Sequence, residues 1–372
     1  MTNKTSLLAL LTTAISFPAI SAIDITDNFS ISGFGSTSWA KSDNETPLLI
    51  NRDISDENCF DCDTTFGVQL DYFYDAFKAS VQVVKRPQDN WSEPQLEWAY
   101  LSYSIGEFEG RGGRLRLPVF LASEYYYVGQ AYTTARPNEE VYNSILGVTA
   151  FNGLSVTWNH SLTDELLLSL TPFVGFKDNN EVEFNSDLTL EFETNNMWGL
   201  NGQLIGDSFR VNFAYLDSNF DQTSKARNVP YEVAPGFTTV VPYVEVAQPD
   251  QNIKLYSLGA EYDFGQLKLM AEGQTNDLSA SWYGSAGYRI QKFTPYFSYG
   301  QTYSKGSDNN PYEGKNGDSW TLGVRYDVLN NVSLNAEWQT FNSFGGQSGP
   351  FVSNPGSDTD ANMYTVMLNF VF

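Results

Sequence analysis

The sequence predicts an all-β fold, a transmembrane antiparallel β-barrel of sixteen strands, and three observations carry that expectation. Apolar and polar residues alternate in segment after segment, and a period of two marks strands with one apolar face. The links between these segments alternate in length: two to five residues, then a long stretch rich in Asn, Asp and Gly. Short turns therefore gather at one end of the molecule, which a membrane barrel requires and a soluble sandwich does not. No apolar run of about 20 residues follows the N-terminus, which excludes a helical membrane protein. The 372 residues carry 21 Lys+Arg against 44 Asp+Glu, a net charge of −23, which argues against a nucleic-acid partner. Aromatic residues make up 15%, too many for a disordered chain. One His and two Cys leave few groups for metal or acid–base chemistry, and no enzyme or cofactor is expected. The mean hydropathy of −0.32 fits a barrel, whose lumen and loops are polar.

The first segment, residues 1–22, reads as a secretory signal peptide. Lys4 is its positive start, Leu7–Leu11 opens its apolar stretch, and Ala19, Ser21 and Ala22 form a small-residue cleavage region. Residues 23–372 then form the barrel. Its strands are expected near 29–40, 63–73, 75–87, 94–105, 110–119, 153–161, 164–176, 195–206, 207–217, 252–263, 265–275, 279–290, 292–303, 317–327, 331–342 and 362–372. Tight links such as Asp263-Phe264-Gly265, Gln291 and Leu329-Asn330-Asn331 are hairpin signals. Asp217–Asn252, Lys305–Asp318 and Asn342–Ala361 read as long polar connections. Aromatics at the ends of outward sets, among them Trp98, Trp158, Trp198, Tyr262, Trp320 and Tyr364, fit girdles at the two water interfaces.

The last strand, with Tyr364, Val366, Leu368, Phe370 and Phe372 on one face, resembles the C-terminal assembly signal of bacterial outer-membrane barrels. The connection after the fifth strand, about 120–152, is aromatic and rich in small residues. The run Leu96–Tyr103 (LEWAYLSY), then Gly113-Arg114-Leu115-Arg116-Leu117-Pro118, then Arg136-Pro137-x-Glu139-Glu140-Val141-Tyr142, is similar to the trimeric porin family of Gram-negative gamma-proteobacteria. More distantly the chain is similar to general and phosphate-selective porins. The strand pattern carries this resemblance over the whole mature chain, and the motifs carry it over about 95–142. The resemblance implies a homotrimer in the outer membrane, lipid and lipopolysaccharide around it, and an inward-folded constriction loop after strand five.

The residues suggest what such a loop would face. Arg114 and Arg116 share one face of the fifth strand and Leu115 and Leu117 the other. Arg at a bilayer midplane costs roughly 2–4 kcal/mol, so both arginines are expected in the lumen. Arg111 and Arg136 join them, and Glu124, Glu139 and Glu140 stand opposite on the loop, giving a transverse field across a pore constriction. Pro137 followed by two acids also reads as a helix start. Lys78, Glu97, Arg210, Lys268, Glu272, Arg289, Arg325 and Glu337 fall at inward positions and are expected to line the lumen. Tyr125-Tyr126-Tyr127 either wedges the loop against the wall or offers a stacking surface for sugars.

Cys59 and Cys62 lie in an exported loop, which favours a surface disulfide over a metal site. His160, the lone histidine, has no Ser partner nominated by spacing. The acidic loops suit solvation, or surface-bound Ca or Mg ions bridging to lipopolysaccharide. The expected function is passive diffusion of ions and small hydrophilic solutes through a water-filled pore. Two alternatives stand beside it: a solute-specific channel for anions or oligosaccharides, and a non-transport adhesin or lipid hydrolase.

Overall fold

Eighteen strands form one antiparallel sheet that closes on itself. In chain order they are β1 (Ile23–Thr26), β2 (Phe29–Ser42), β3 (Thr65–Tyr74), β4 (Phe77–Lys85), β5 (Gln95–Ile105), β6 (Phe108–Arg116), β7 (Ala150–Thr163), β8 (Leu166–Gly175) and β9 (Asp178–Asn185). Then follow β10 (Leu188–Gly206), β11 (Phe209–Ala234), β12 (Phe237–Asp263), β13 (Leu267–Asn276), β14 (Ser279–Tyr288), β15 (Phe293–Ser304), β16 (Gly314–Leu329), β17 (Val332–Ser343) and β18 (Asp360–Val371). This computed structural model describes residues 22–87, 94–146, 148–185, 187–234, 237–306 and 313–372. The expected signal peptide lies outside the described residues except for Ala22.

Sixteen of the strands make the wall, as expected. The other two extend it. β1 is a four-residue stub on the start of β2. β9 continues the line of β8 past the wall, so β10 pairs first with β9 and then with β8. Closure comes from β18 pairing with β2, from Met363↔Ser42 to Val371↔Phe34. Gly33 and Phe372 then exchange backbone bonds of 2.8 and 2.9 Å below that ladder.

The sidedness is inside out. Outward positions are large and apolar, with Leu258 61% exposed and Leu322 56% exposed. Inward positions such as Asn369, Ser333, Asn335 and Thr365 are polar and buried. Water-soluble folds put these classes the other way round, whereas a wall facing lipid needs this order.

Two local departures have physical causes. Asp217–Asn252 is not a loop: β11 and β12 run on as one hairpin of 26 and 27 residues. Val240, Val241, Tyr243, Val244 and Val246 supply strand-forming residues there. β13 pairs with β12 only over Leu255–Asp263, so the outer part of β12 is an edge, and there it accommodates Pro242 and Pro249. A bulge at Glu97 shifts the β4–β5 register, so Trp98 turns inward and its Nε1 donates to Ser80 Oγ at 3.0 Å, instead of joining the outer girdle. Tight turns close the opposite end, with Gly265 and Gln291 at φ 89° and 57°.

Candidate functional site

The segment between β6 and β7 runs through the barrel bore. Pro118 ends the β6 ladder because it lacks an N–H. Short 3₁₀ turns at Ser123–Tyr125, Gly129–Ala131 and Asn143–Ile145, and one helical turn, α1 (Glu139–Tyr142), then shape the path. Asn138 stands at the N-cap of α1, so Pro137 precedes the helix instead of taking its first position, while Glu139 and Glu140 do fall in the first turn.

Inward polar groups of the wall take up the backbone of this segment. Leu121 N–H donates to Glu272 at 2.7 Å, and Ala135 N–H donates to Glu337 at 2.6 Å. Ser257 donates to the Val119 carbonyl, and Asn335 donates to the Thr133 carbonyl at 2.8 Å. Arg325 donates to the carbonyls of Gln130 and Tyr132. A buried aliphatic and aromatic cluster fills the gaps, including Leu117, Val119, Phe120, Tyr126, Tyr142 and Phe151. Glycines allow close approach where it is tightest. A Cβ on Gly129 would lie 2.2 Å from Asn369 Oδ1 and 2.5 Å from Ser36 Oγ, and one on Gly300 would lie 2.6 Å from Glu140 Cδ.

Charge pairing locks the segment further. Arg136 is buried and donates to Asp63 at 2.8 Å and to Thr365 at 3.0 Å, and it lies 3.8 Å from Glu337. Arg52 bridges Asp63 at 2.9 Å and Glu139 at 2.8 Å. Burial alone would raise the Asp63 carboxyl, but Arg136 and Arg52 hold it at about 2. Arg116 bonds Glu97, which also accepts from Arg86 at 2.5 Å and Thr149 at 3.0 Å. Arg52, Asp63 and Arg86 were not among the expected site residues. A lone Arg in the apolar stretch Leu48-Leu49-Ile50-Asn51-Arg52 was the available signal.

The expected site residues therefore divide into groups. Arg111, Arg116, Glu124 and Arg210 border one cavity of about 370 Å³. Its wall side is formed by β5 to β8, β10 and β11, through residues such as Tyr100, Ser155, Thr157, Thr171, Asn201 and Gln203. Its other side is the inward segment at Pro118, Phe120 and Ser123. Arg111 pairs with Glu109 at 3.0 Å and lies 4.0 Å from Glu124, which is 59% exposed. Arg210 pairs with Glu261 at 3.0 Å and donates to Tyr125 Oη at 2.8 Å. Tyr126 and Tyr127 are buried, so the tyrosine run is packed rather than displayed as a surface.

Arg136, Glu139 and Glu140 do not border that cavity. They sit across the bore, where Glu140 accepts from Ser319. The expected opposition of wall arginines to these two loop carboxylates is thus replaced by pairing of each arginine with a nearby acid. Arg114 is a further correction. Strand register gives it the same face of β6 as Arg116, yet it does not border the cavity. Its guanidinium pairs with Asp178 at 2.8 Å near the end of β6.

Lys78 pairs inward with Asp71 at 3.1 Å, and Lys268 with Glu261 at 2.9 Å. Arg289 falls just past β14 and is exposed, outside the lined bore. Cys59 and Cys62 are disulfide-bonded. His160 lies at the short-turn end, with Nδ1 at 3.0 Å from Glu107.

No curated protein matches the chain by sequence. Solved structures do share its fold. OmpF of Salmonella typhi, in complex with daunomycin, is 14% identical with a TM-score of 0.61, over 94% of this chain and 100% of that one. An anion-selective porin from Comamonas acidovorans is 11% identical with a TM-score of 0.58, over 92% and 99%. OmpT of Vibrio cholerae, in a trimer form, is 13% identical with a TM-score of 0.55, over 92% and 99%. The model of the Gram-negative porins matches residues 174–370, just over half of the chain. With a closed sixteen-strand wall, an apolar outside and a polar bore, the chain belongs to the Gram-negative porins and is an outer-membrane channel protein.

Proposed function

We propose that solutes pass through the opening between the inward segment and the wall of β5 to β8, β10 and β11, by passive diffusion and without any chemical reaction. The inward segment acts as the constriction loop on this reading. The single observation that carries it is the cavity of about 370 Å³ bordered by Arg111, Arg210, Glu109 and Glu124. Ser155, Thr157, Thr171, Asn201 and Gln203 add hydroxyls and amides to its wall, which suits water and small hydrophilic solutes. Arg111, Arg116 and Arg210 with Glu109 and Glu124 place charges of both signs at its edge, which favours a general pore over a strict anion channel. A homotrimer is the proposed assembly, supported by the trimer form of the Vibrio cholerae neighbour.

Planar-bilayer recording tests the proposal. Linear, unsaturable conductance is expected, with a reversal potential that moves toward cations in Arg111→Ala. Absence of conductance from folded protein would overturn it. Blockade by one solute at low concentration would instead support a solute-specific channel.

A further inference from the structure

The Cys59–Cys62 disulfide stands next to the anion that seats the inward segment, and solute passage makes no use of it. It closes a small ring in the first outer connection, residues 43–64. Phe60 and Asp61, inside the ring, are exposed. Asp63 follows the ring directly and is buried.

The two ends of the ring are held differently. Cys59 is bridged to Ala40 of β2, donating to its carbonyl at 2.9 Å and accepting from its N–H at 2.8 Å. Cys62 is buried in an apolar cluster with Ala40, Leu48, Ile54 and Met363, and its N–H donates to Cys59 Sγ at 3.1 Å. Asp63 then accepts from Ser38 Oγ at 2.6 Å and from Arg136 at 2.8 Å, and it pairs with Arg52. Arg136 belongs to the inward segment, and Arg52 reaches that segment through Glu139. One carboxylate thus ties the first outer connection to the segment, through charge-assisted bonds that depend on direction as well as distance.

Two free thiols cannot remain at bonding distance, so opening the disulfide must move one side of the ring. The bridge to β2 holds Cys59, so the movement falls on Cys62 and on Asp63 beside it. Close-packed surroundings pass such a displacement on.

We propose that the Cys59–Cys62 disulfide is a redox latch on the inward segment: intact, it holds Asp63 in place against Arg136 and Arg52, and its reduction by a low-molecular-weight dithiol releases the segment from its seat. A thiolate of the dithiol attacks the sulfur of Cys59, the less buried residue of the pair, and Cys62 Sγ leaves and takes up a proton. The second thiol of the reagent then displaces Cys59 Sγ, which is protonated in turn. The chain gains two thiols, and the dithiol is oxidised to its cyclic disulfide. The latch acts on the seat of the segment, and only its effect on current rests on the pore reading.

Hydrogen exchange read by mass spectrometry on the folded full chain in detergent tests this, before and after dithiothreitol, with thiol titration counting the sulfurs released. Ala135 and Tyr142 are the reporters, because their N–H groups donate to Glu337 and to the Asn138 carbonyl. Reduction is expected to speed exchange across residues 135–142 at least about threefold and to leave β13 and β14 unchanged. The double variant Cys59→Ser, Cys62→Ser is expected to exchange at the faster rate from the start and to ignore dithiothreitol. If that variant fails to fold, the wild-type comparison decides. A disulfide that dithiothreitol does not open in the folded chain would overturn the proposal. So would exchange unchanged once both thiols titrate, an increase confined to residues 43–64, or a folded double variant that keeps the slow rate. Bilayer recording of the same sample runs in parallel. A chain that conducts with an unmoved segment removes the latch and keeps the pore, and one whose segment loosens without any conductance does the reverse.

Discussion

The two sides of the bore obey different rules. On the side of β12 to β18, inward polar groups are spent on the inward segment: Glu272, Glu337, Arg325 and Asn335 each hold its backbone. On the side of β6 to β8 and β10, the inward Thr157, Thr171, Asn201 and Gln203 face an open cavity. Charge on the first side is structural, because a buried ion without its partner is costly. Charge on the second side is paired too, Arg111 with Glu109 and Arg210 with Glu261, but it is partly exposed to the cavity. The lesson is that sign and inward position do not define a pore residue. What matters is whether the group still faces open space once its partner is in place.

The strongest way to break this contrast is to strip the filled side of its central anion. Asp63→Ala leaves Arg52 and Arg136 buried without that partner, and a loss of about 3–5 kcal/mol is expected. Denaturant unfolding of the refolded protein measures it, and conductance should become larger and noisier as the segment loosens. An unfolding midpoint equal to wild type would mean the clamp holds nothing.

A smaller effect is expected where backbone meets wall. Gly129→Val places new carbons against Asn369 and Ser36, and about 1–3 kcal/mol of overpacking should follow. The midpoint in the same unfolding assay reads it.

On the open side, Arg111→Ala should leave stability within about 1 kcal/mol, because the pair it breaks is partly solvated. Its effect should appear instead as a reversal potential shifted toward cations in a salt gradient. Arg114→Ala is the matching control, since its guanidinium lies with Asp178 at the rim. No shift in reversal potential is expected from it, and a shift equal to that of Arg111→Ala would place Arg114 in the path after all.

Titration sharpens the contrast further. Burial raises Glu140 from 4.5 to about 7, with neighbouring Glu139 and Asp318 adding to the rise. Arg52 and Lys315 are the nearby bases, and both are paired. The folded chain holds this proton more tightly than the unfolded one. Its contribution to stability is therefore complete below the ordinary value and is lost as pH rises through about 7. Unfolding midpoints measured from about pH 5 to about pH 8 should fall, and Glu140→Gln should flatten that part of the curve. An identical slope in the variant would assign the dependence to other groups.

Much of the barrel was legible because a period of two survives in the sequence wherever one face meets lipid. The tight turns were legible because few residues accept their backbone. The hairpin of β11 and β12 was harder to see. Asp217, Asp221, Asp250 and Asn252 gave its flanks a loop-like composition, although Val240 to Val246 is strand-forming. The location of the inward segment could be read from its aromatic and small residues. Its partners could not, because Arg52, Asp63 and Glu337 lie far from it in sequence and no local spacing links them. The pairing of Arg114 was equally hidden, because its partner Asp178 lies 64 residues further along the chain.

The contact at Gly129 carries a consequence for the order of assembly. Ser36 belongs to β2 and Asn369 to β18, the first and last strands of the closed wall, and they are joined by a hydrogen bond of 2.7 Å. The backbone of Gly129 rests on both. A segment from the first half of the chain thus touches the place where its beginning and end meet. Threading a segment through a ring that has already sealed is slow, and pairing ends more than 300 residues apart is slow as well. A chain that closed its seam first would still have to thread the inward segment through a sealed ring.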